Sequence, residues 1–142
     1  MRFALFLALA PIPALAWEFS PDPICTLAHD TDTAEIVITY DVNLPEYALA
    51  ITLKNGTWAD APVFGMEFIG PRPLAIGTDR HVTDGATLTV RDSGFGNVLD
   101  GLEYNAGAVA VSGATTIPML LTDAAPAVRA FRACPSDSPT TS

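Results

Sequence analysis

The sequence predicts a mainly β domain: one antiparallel sandwich or flattened barrel of about seven or eight short strands, with a short C-terminal helix. Three observations predict it. Apolar and polar residues alternate with period two from Glu35 to Leu121, as expected of strands with one buried face. Gly, Pro, Asn and Asp residues fall between these runs, where turns need them. Two cysteines, Cys25 and Cys134, bracket the whole pattern, and no third thiol competes with them.

The elements follow in order. Ile24 to His29 is a candidate strand around the first cysteine. Ile36, Ile38 and Tyr40 share one face of the next run, opposite Glu35, Val37, Thr39 and Asp41. Asn43-Leu44-Pro45 breaks it, since proline cannot donate a ladder hydrogen bond. Tyr47, Leu49, Ile51 and Leu53 repeat the alternation, and Asn55-Gly56 offers a tight reversal because both residues tolerate positive φ. Phe64, Met66 and Phe68 form a further face before Gly70-Pro71-Arg72-Pro73 forces a stop. Leu74 and Ile76, then Leu88 and Val90, mark two strands, with Asp84-Gly85 as a turn. Val109 with Val111, and Ile117, Met119 and Leu121, complete the set.

Two helices are expected. Asn97 is placed to cap a short one near residues 97–104 that carries Val98, Leu99 and Leu102. A second begins near Pro126, whose fixed φ suits a first helical turn, and runs to about Ala133. It sets Val128, Phe131 and Cys134 on one face, and Pro135 is expected to end it.

The two ends of the chain read differently from its middle. Residues 1–16 have the form of a secretion leader: Arg2, an apolar stretch from Phe3, and small residues at Ala14 and Ala16 before a cut at Trp17. That stretch is shorter than the roughly 17–25 residues needed to cross a bilayer. Residues 17–135 are expected to form a single disulfide-closed domain, and 136–142 a disordered polar tail of Ser, Thr and Pro. An even cysteine count behind a leader predicts a structural Cys25–Cys134 disulfide in an oxidising compartment, periplasmic or extracellular.

Charge narrows the partners. The chain carries a net charge of −9, and the leader removes one of the 7 basic residues and none of the 16 acidic ones. Nucleic-acid binding needs clustered Lys and Arg, whereas Lys54 is the only lysine here and the arginines are scattered. A nucleic-acid partner and a membrane span in the mature form are therefore not expected, and no cofactor motif is present. Gly-x-x-x-x-Gly-Lys-Ser/Thr occurs nowhere, and Asp92-Ser93-Gly94-Phe95-Gly96 lacks the leading glycine of a nucleophile elbow.

Candidate functional residues gather in two places. Asp79-Arg80-His81, with Asp84 three residues on, is read as a hairpin connection whose histidine stands beside carboxylates able to tune it near neutral pH. His29, Asp30, Asp32 and Glu35 put four potential ligands in seven positions, which suits a divalent cation or a histidine–carboxylate pair. The same residues also suit a solvated loop and a polar strand end. Trp58, after the Asn-Gly turn, is either an exposed contact residue or the cover of a sheet end. Asn55-Gly56-Thr57 fits a glycosylation pattern but suits a turn better.

Trp17-Glu18-Phe19 through Cys25-Thr26-Leu27, together with the closing Ala130-Phe131-Arg132-Ala133-Cys134-Pro135, resembles small exported proteins of uncharacterised function from alphaproteobacteria. The resemblance implies a bacterial exported domain and transfers no site, cofactor or substrate. The expected function is non-catalytic binding of a protein or small ligand. The alternatives are a hydrolase-like enzyme built on His81 with Asp79 or Asp84, a cation-binding protein using the Asp30/Asp32 cluster, and a structural envelope-associated domain.

Overall fold

The computed structural model describes residues 17–137. The expected leader, and residues 138–142 of the expected tail, lie outside that range. Ten strands form two antiparallel sheets, and neither closes into a barrel. Strands β1 (Glu18–Ser20), β2 (Cys25–Asp30), β3 (Ala34–Asp41), β4 (Glu46–Leu53), β8 (Thr87–Asp92) and β7 (Val82–Asp84) make a six-stranded sheet in the order β1-β2-β3-β4-β8-β7. Strands β10 (Thr115–Leu120), β9 (Gly107–Ser112), β5 (Phe64–Ile69) and β6 (Leu74–Thr78) make a four-stranded sheet in the order β10-β9-β5-β6. Helix α1 (Gly96–Tyr104) precedes β9, and α2 (Ala124–Asp137) ends the described chain.

The expected sandwich is therefore present, with the two shortest strands added. β1 and β7 have three residues each, too few for alternation to announce them. The inner face of the larger sheet carries Leu27, Ile36, Ile38, Leu49, Ile51 and Leu88, all 2% exposed or less. In the smaller sheet the pattern holds with one reversal. Ala108 and Ala110 of β9 point inward, while Val109 and Val111 face out half-buried. Register explains this: Phe68, Ala108 and Met119 lie in one cross-strand row, and Met66, Ala110 and Ile117 in the next. A small residue between two large ones lets the row lie flat against the core.

The segment from Asp79 to Asp84 departs from expectation. β6 and β8 are not hairpin partners, because they belong to different sheets. The chain crosses from one sheet to the other, and the hairpin is β7–β8, closed by Gly85 at φ +63° with Asp84 opposite Thr87. Asn55-Gly56 likewise bends the chain, with Gly56 at φ +83°, but leads over to β5 in the second sheet rather than into a hairpin.

Both helices differ at their ends. The residue at the N-cap of α1 is Phe95, not Asn97, and no side chain caps the helix. Asn97 lies inside the first turn, where its own backbone is helical. Helix α2 starts two residues before Pro126 and continues through Pro135 to Asp137. Proline's fixed φ is compatible with helix, so Pro135 removes one backbone bond without ending the turn. The expected tail thus contributes Ser136 and Asp137 to the helix.

Helix α2 packs on α1, β1 and β2, with Val128 and Phe131 fully buried. The Cys25–Cys134 disulfide is present, joining β2 to α2 with Cα atoms 6.0 Å apart across 109 residues. Trp17, at the point where the described chain begins, is 4% exposed and donates from its indole to the Leu120 carbonyl at 3.1 Å. One side of the sandwich is closed by these contacts. The other side, between β6 and β8, is not.

Candidate functional site

The alternation of β4, β5, β6 and β8 sends Leu49, Phe64, Met66, Ile76 and Val90 into the space between the sheets. They line a cleft of about 460 Å³, within the range of small-ligand sites. Its most buried walls are Leu49, Phe64, Met66 and Phe95, at 2%, 3%, 3% and 5% exposure. Gly94, Phe95 and Gly96 turn the chain from β8 into α1, and Asn97 and Val98 extend the lining along the first turn. The first turn of α1 has no capping side chain and contains no acidic residue. Polar side chains at the mouth are Thr78, Asp92 and Asn97. Asp92 is engaged there, accepting from Arg80 at 3.1 Å and from the Ser93 backbone N–H at 2.6 Å.

The sequence-derived candidates fall elsewhere. His81 and Asp79 line a shallow polar depression of about 530 Å³, together with Asp60 and Thr83. Asp60 accepts from the Thr83 hydroxyl at 3.2 Å. His81 Nε2 lies 2.9 Å from the Ala61 carbonyl, so the tautomer protonated at Nε2 donates to it. Its Nδ1 is buried without a hydrogen-bond partner. Arg80 reaches Asp92 rather than either neighbouring carboxylate, and Asp84 sits in the β7 ladder. The four residues named together in the sequence are therefore not one constellation.

The His29 group divides for a simpler reason. His29 follows the inward face of β2, is 9% exposed and stacks on Trp17 with centroids 4.5 Å apart. Asp30, Asp32 and Glu35 are exposed, and Asp30 pairs with Lys54 at 2.9 Å. The pleat turns His29 inward while Asp30 and Glu35 face out, although all three residues border one depression of about 340 Å³ beside Glu18. Among the described residues, no group of three or more His, Cys, Asp or Glu side chains is placed to hold a metal ion.

Trp58 is not a surface contact. It is 5% exposed, and its indole N–H donates to the Ile51 carbonyl at 3.1 Å, so it covers the end of the larger sheet. Sequence reasoning missed the cleft because its apolar lining residues read as core. Only the Gly94-Phe95-Gly96 stretch, an aromatic between two glycines, marks the place where packing stops.

No family model, curated protein or solved structure matches this chain.

Proposed function

We propose that this chain is an exported, non-catalytic binding domain that holds an apolar ligand or partner segment in the cleft between its two sheets. The observation that carries the reading is the cleft itself: apolar side chains line about 460 Å³ of space that the fold leaves unfilled, with polar groups at its mouth. Small-molecule sites are usually open clefts of about 300–1,000 Å³ lined mainly by apolar side chains with a few polar groups. The leader-like first 16 residues and the long-range disulfide support export. Among the described residues no helix is long and apolar enough to cross a membrane. The hydrolase-like alternative draws less support, because His81 spends Nε2 on a backbone carbonyl and buries Nδ1 away from Asp79 and Asp84.

An uncharged fluorescent probe, N-phenyl-1-naphthylamine, tests the reading. Its emission should rise on titration with the protein. Val90→Phe should weaken that binding about tenfold, since a ring in the cleft displaces roughly 50 Å² of apolar contact worth about 25 cal/mol per Å². No rise in emission, or equal binding by the variant, would remove the cleft as the site.

A further inference from the structure

Four strands end a sheet, and three of them carry a feature that hinders pairing with another chain. β1 and β7 are three residues long and hold Glu18 and Asp84. β10 contains Pro118, which has no N–H, and the Trp17 indole occupies its Leu120 carbonyl. β6 is different. Its five residues, Leu74 to Thr78, include neither a charge nor a proline. It pairs with β5 on one side only, so its second row of backbone groups has no strand partner. Exposed edges in natural sheets are normally blunted by charge, proline or a covering element. Here Asn97, Asp100 and Gly101 of α1 lie beside the Leu74 end, and the first turn of α1 borders the same cleft as Ile76 to Thr78.

The open stretch, Ile76 to Thr78, is one lip of the cleft. A strand added about 4.8 Å beyond β6 would point every second side chain into that space. Asp79 stands exposed just past the end of β6 and makes no ion pair among the described residues. We propose that the β6 edge takes up an extended segment of a partner protein, with aliphatic side chains at alternate positions and a basic residue beside Asp79. The proposal rests on the reading of the cleft as a binding site. A purely aliphatic molecule would fill the cleft but leave the β6 backbone row unpaired, whereas a peptide satisfies both. A second copy offering its own β6 would bring a second Asp79 and a second net charge of −9, and so opposes rather than complements this edge. A basic residue at the Asp79 end also suits a chain of net charge −9.

The probe is a capped peptide, Lys-Val-Thr-Val-Thr-Val-Thr, with lysine first because an antiparallel strand begins where β6 ends. Amide hydrogen exchange followed by NMR should show β6 amides slowed about tenfold or more when the peptide is bound. The same peptide N-methylated at the residues whose N–H faces β6 should bind at least about tenfold more weakly, since each methyl removes one inter-strand hydrogen bond. Asp79→Asn should weaken the parent peptide severalfold at low salt and less at high salt. If the naphthylamine binds while the peptide leaves β6 unprotected, strand addition is wrong and the cleft reading stands. If neither binds, both fail. Equal binding of the methylated and parent peptides overturns strand addition. So does sedimentation showing a dimer whose β6 amides are protected without peptide, since the occupant is then a second copy.

Discussion

Arg132 of α2 donates from Nη1 to Glu103 Oε1 of α1 at 3.0 Å, and the side chain it meets is only 7% exposed. The same guanidinium reaches Asp100 at 2.8 Å, and Arg129 adds a looser contact to Glu103 at 3.8 Å. Burial on its own lowers the pKa of Arg132. The hydrogen bond and charge of Asp100, followed by those of Glu103, outweigh it, so the net displacement is upward and the group stays charged. Removing it leaves a buried carboxylate with its weaker partner alone. Arg132→Ala should therefore destabilise the protein by about 1.5–3 kcal/mol in urea unfolding. A loss below about 0.5 kcal/mol would put the pair with ordinary surface bridges.

The disulfide clasps the same helix two residues further on, at Cys134. Replacing both Cys25 and Cys134 with alanine should cost about 2–5 kcal/mol, by widening the unfolded ensemble across the 109-residue separation. Hydrogen exchange in the variant should rise first in α2, which has lost its covalent tie to β2. Thiol titration of the unfolded, unreduced protein should find no reactive group. Two reactive thiols would contradict the bond.

Gly101 sits where α1 crosses Phe68. A Cβ placed there would lie 2.5 Å from the Phe68 ring, which is 1% exposed and cannot swing away. Alanine is the better helix former by about 1 kcal/mol, so propensity alone predicts that Gly101→Ala stabilises. Overpacking predicts the opposite, a net loss of about 1–3 kcal/mol. Phe68→Leu in the Gly101→Ala background should recover part of it. Thermal melts of the two single variants and the double variant decide between the effects, and simple additivity would exclude the clash.

Tyr47 lies against Tyr40, Phe95 and Phe131, with ring centroids 4.5, 5.3 and 6.1 Å away. Burial raises its pKa above 10.0, Tyr40 adds to the rise, and Arg132 opposes it. The folded state therefore holds the phenolic proton to higher pH than the unfolded state does. Stability from this group is intact below pH 10 and is lost as pH climbs through the folded value. Tyr47→Phe should flatten the fall in unfolding free energy above pH 10. An alkaline limb unchanged in the variant would assign the effect to other groups.

Much of the fold was legible because burial has a period. Ile36, Ile38, Leu49, Ile51, Phe64, Met66 and Phe68 alternate in the sequence and are buried in the structure. Pairing has no such period. Nothing between Thr78 and Thr87 reveals that the chain changes sheets there, so the Asp79–Asp84 segment reads as one hairpin loop when Asp79 to His81 cross between sheets and Val82–Asp84 form a strand. His29 shows the same limit at one residue. Its nearness in sequence to Asp30 and Glu35 suggests a ligand cluster, while the pleat turns it inward onto Trp17.

By itself the sequence determined which residues are buried in most strands, that the domain is mainly β, and that its two thiols are positioned to join its ends. These follow from local alternation, turn chemistry and cysteine count. Only the tertiary structure decided which strands share a sheet, that Trp58 is interior, and that Leu49, Met66, Ile76 and Val90 border an open cleft. The reason is physical. A side chain's facing is set by its own backbone, but whether it meets a partner depends on residues brought from elsewhere in the chain, and a gap between two apolar faces leaves no mark on either.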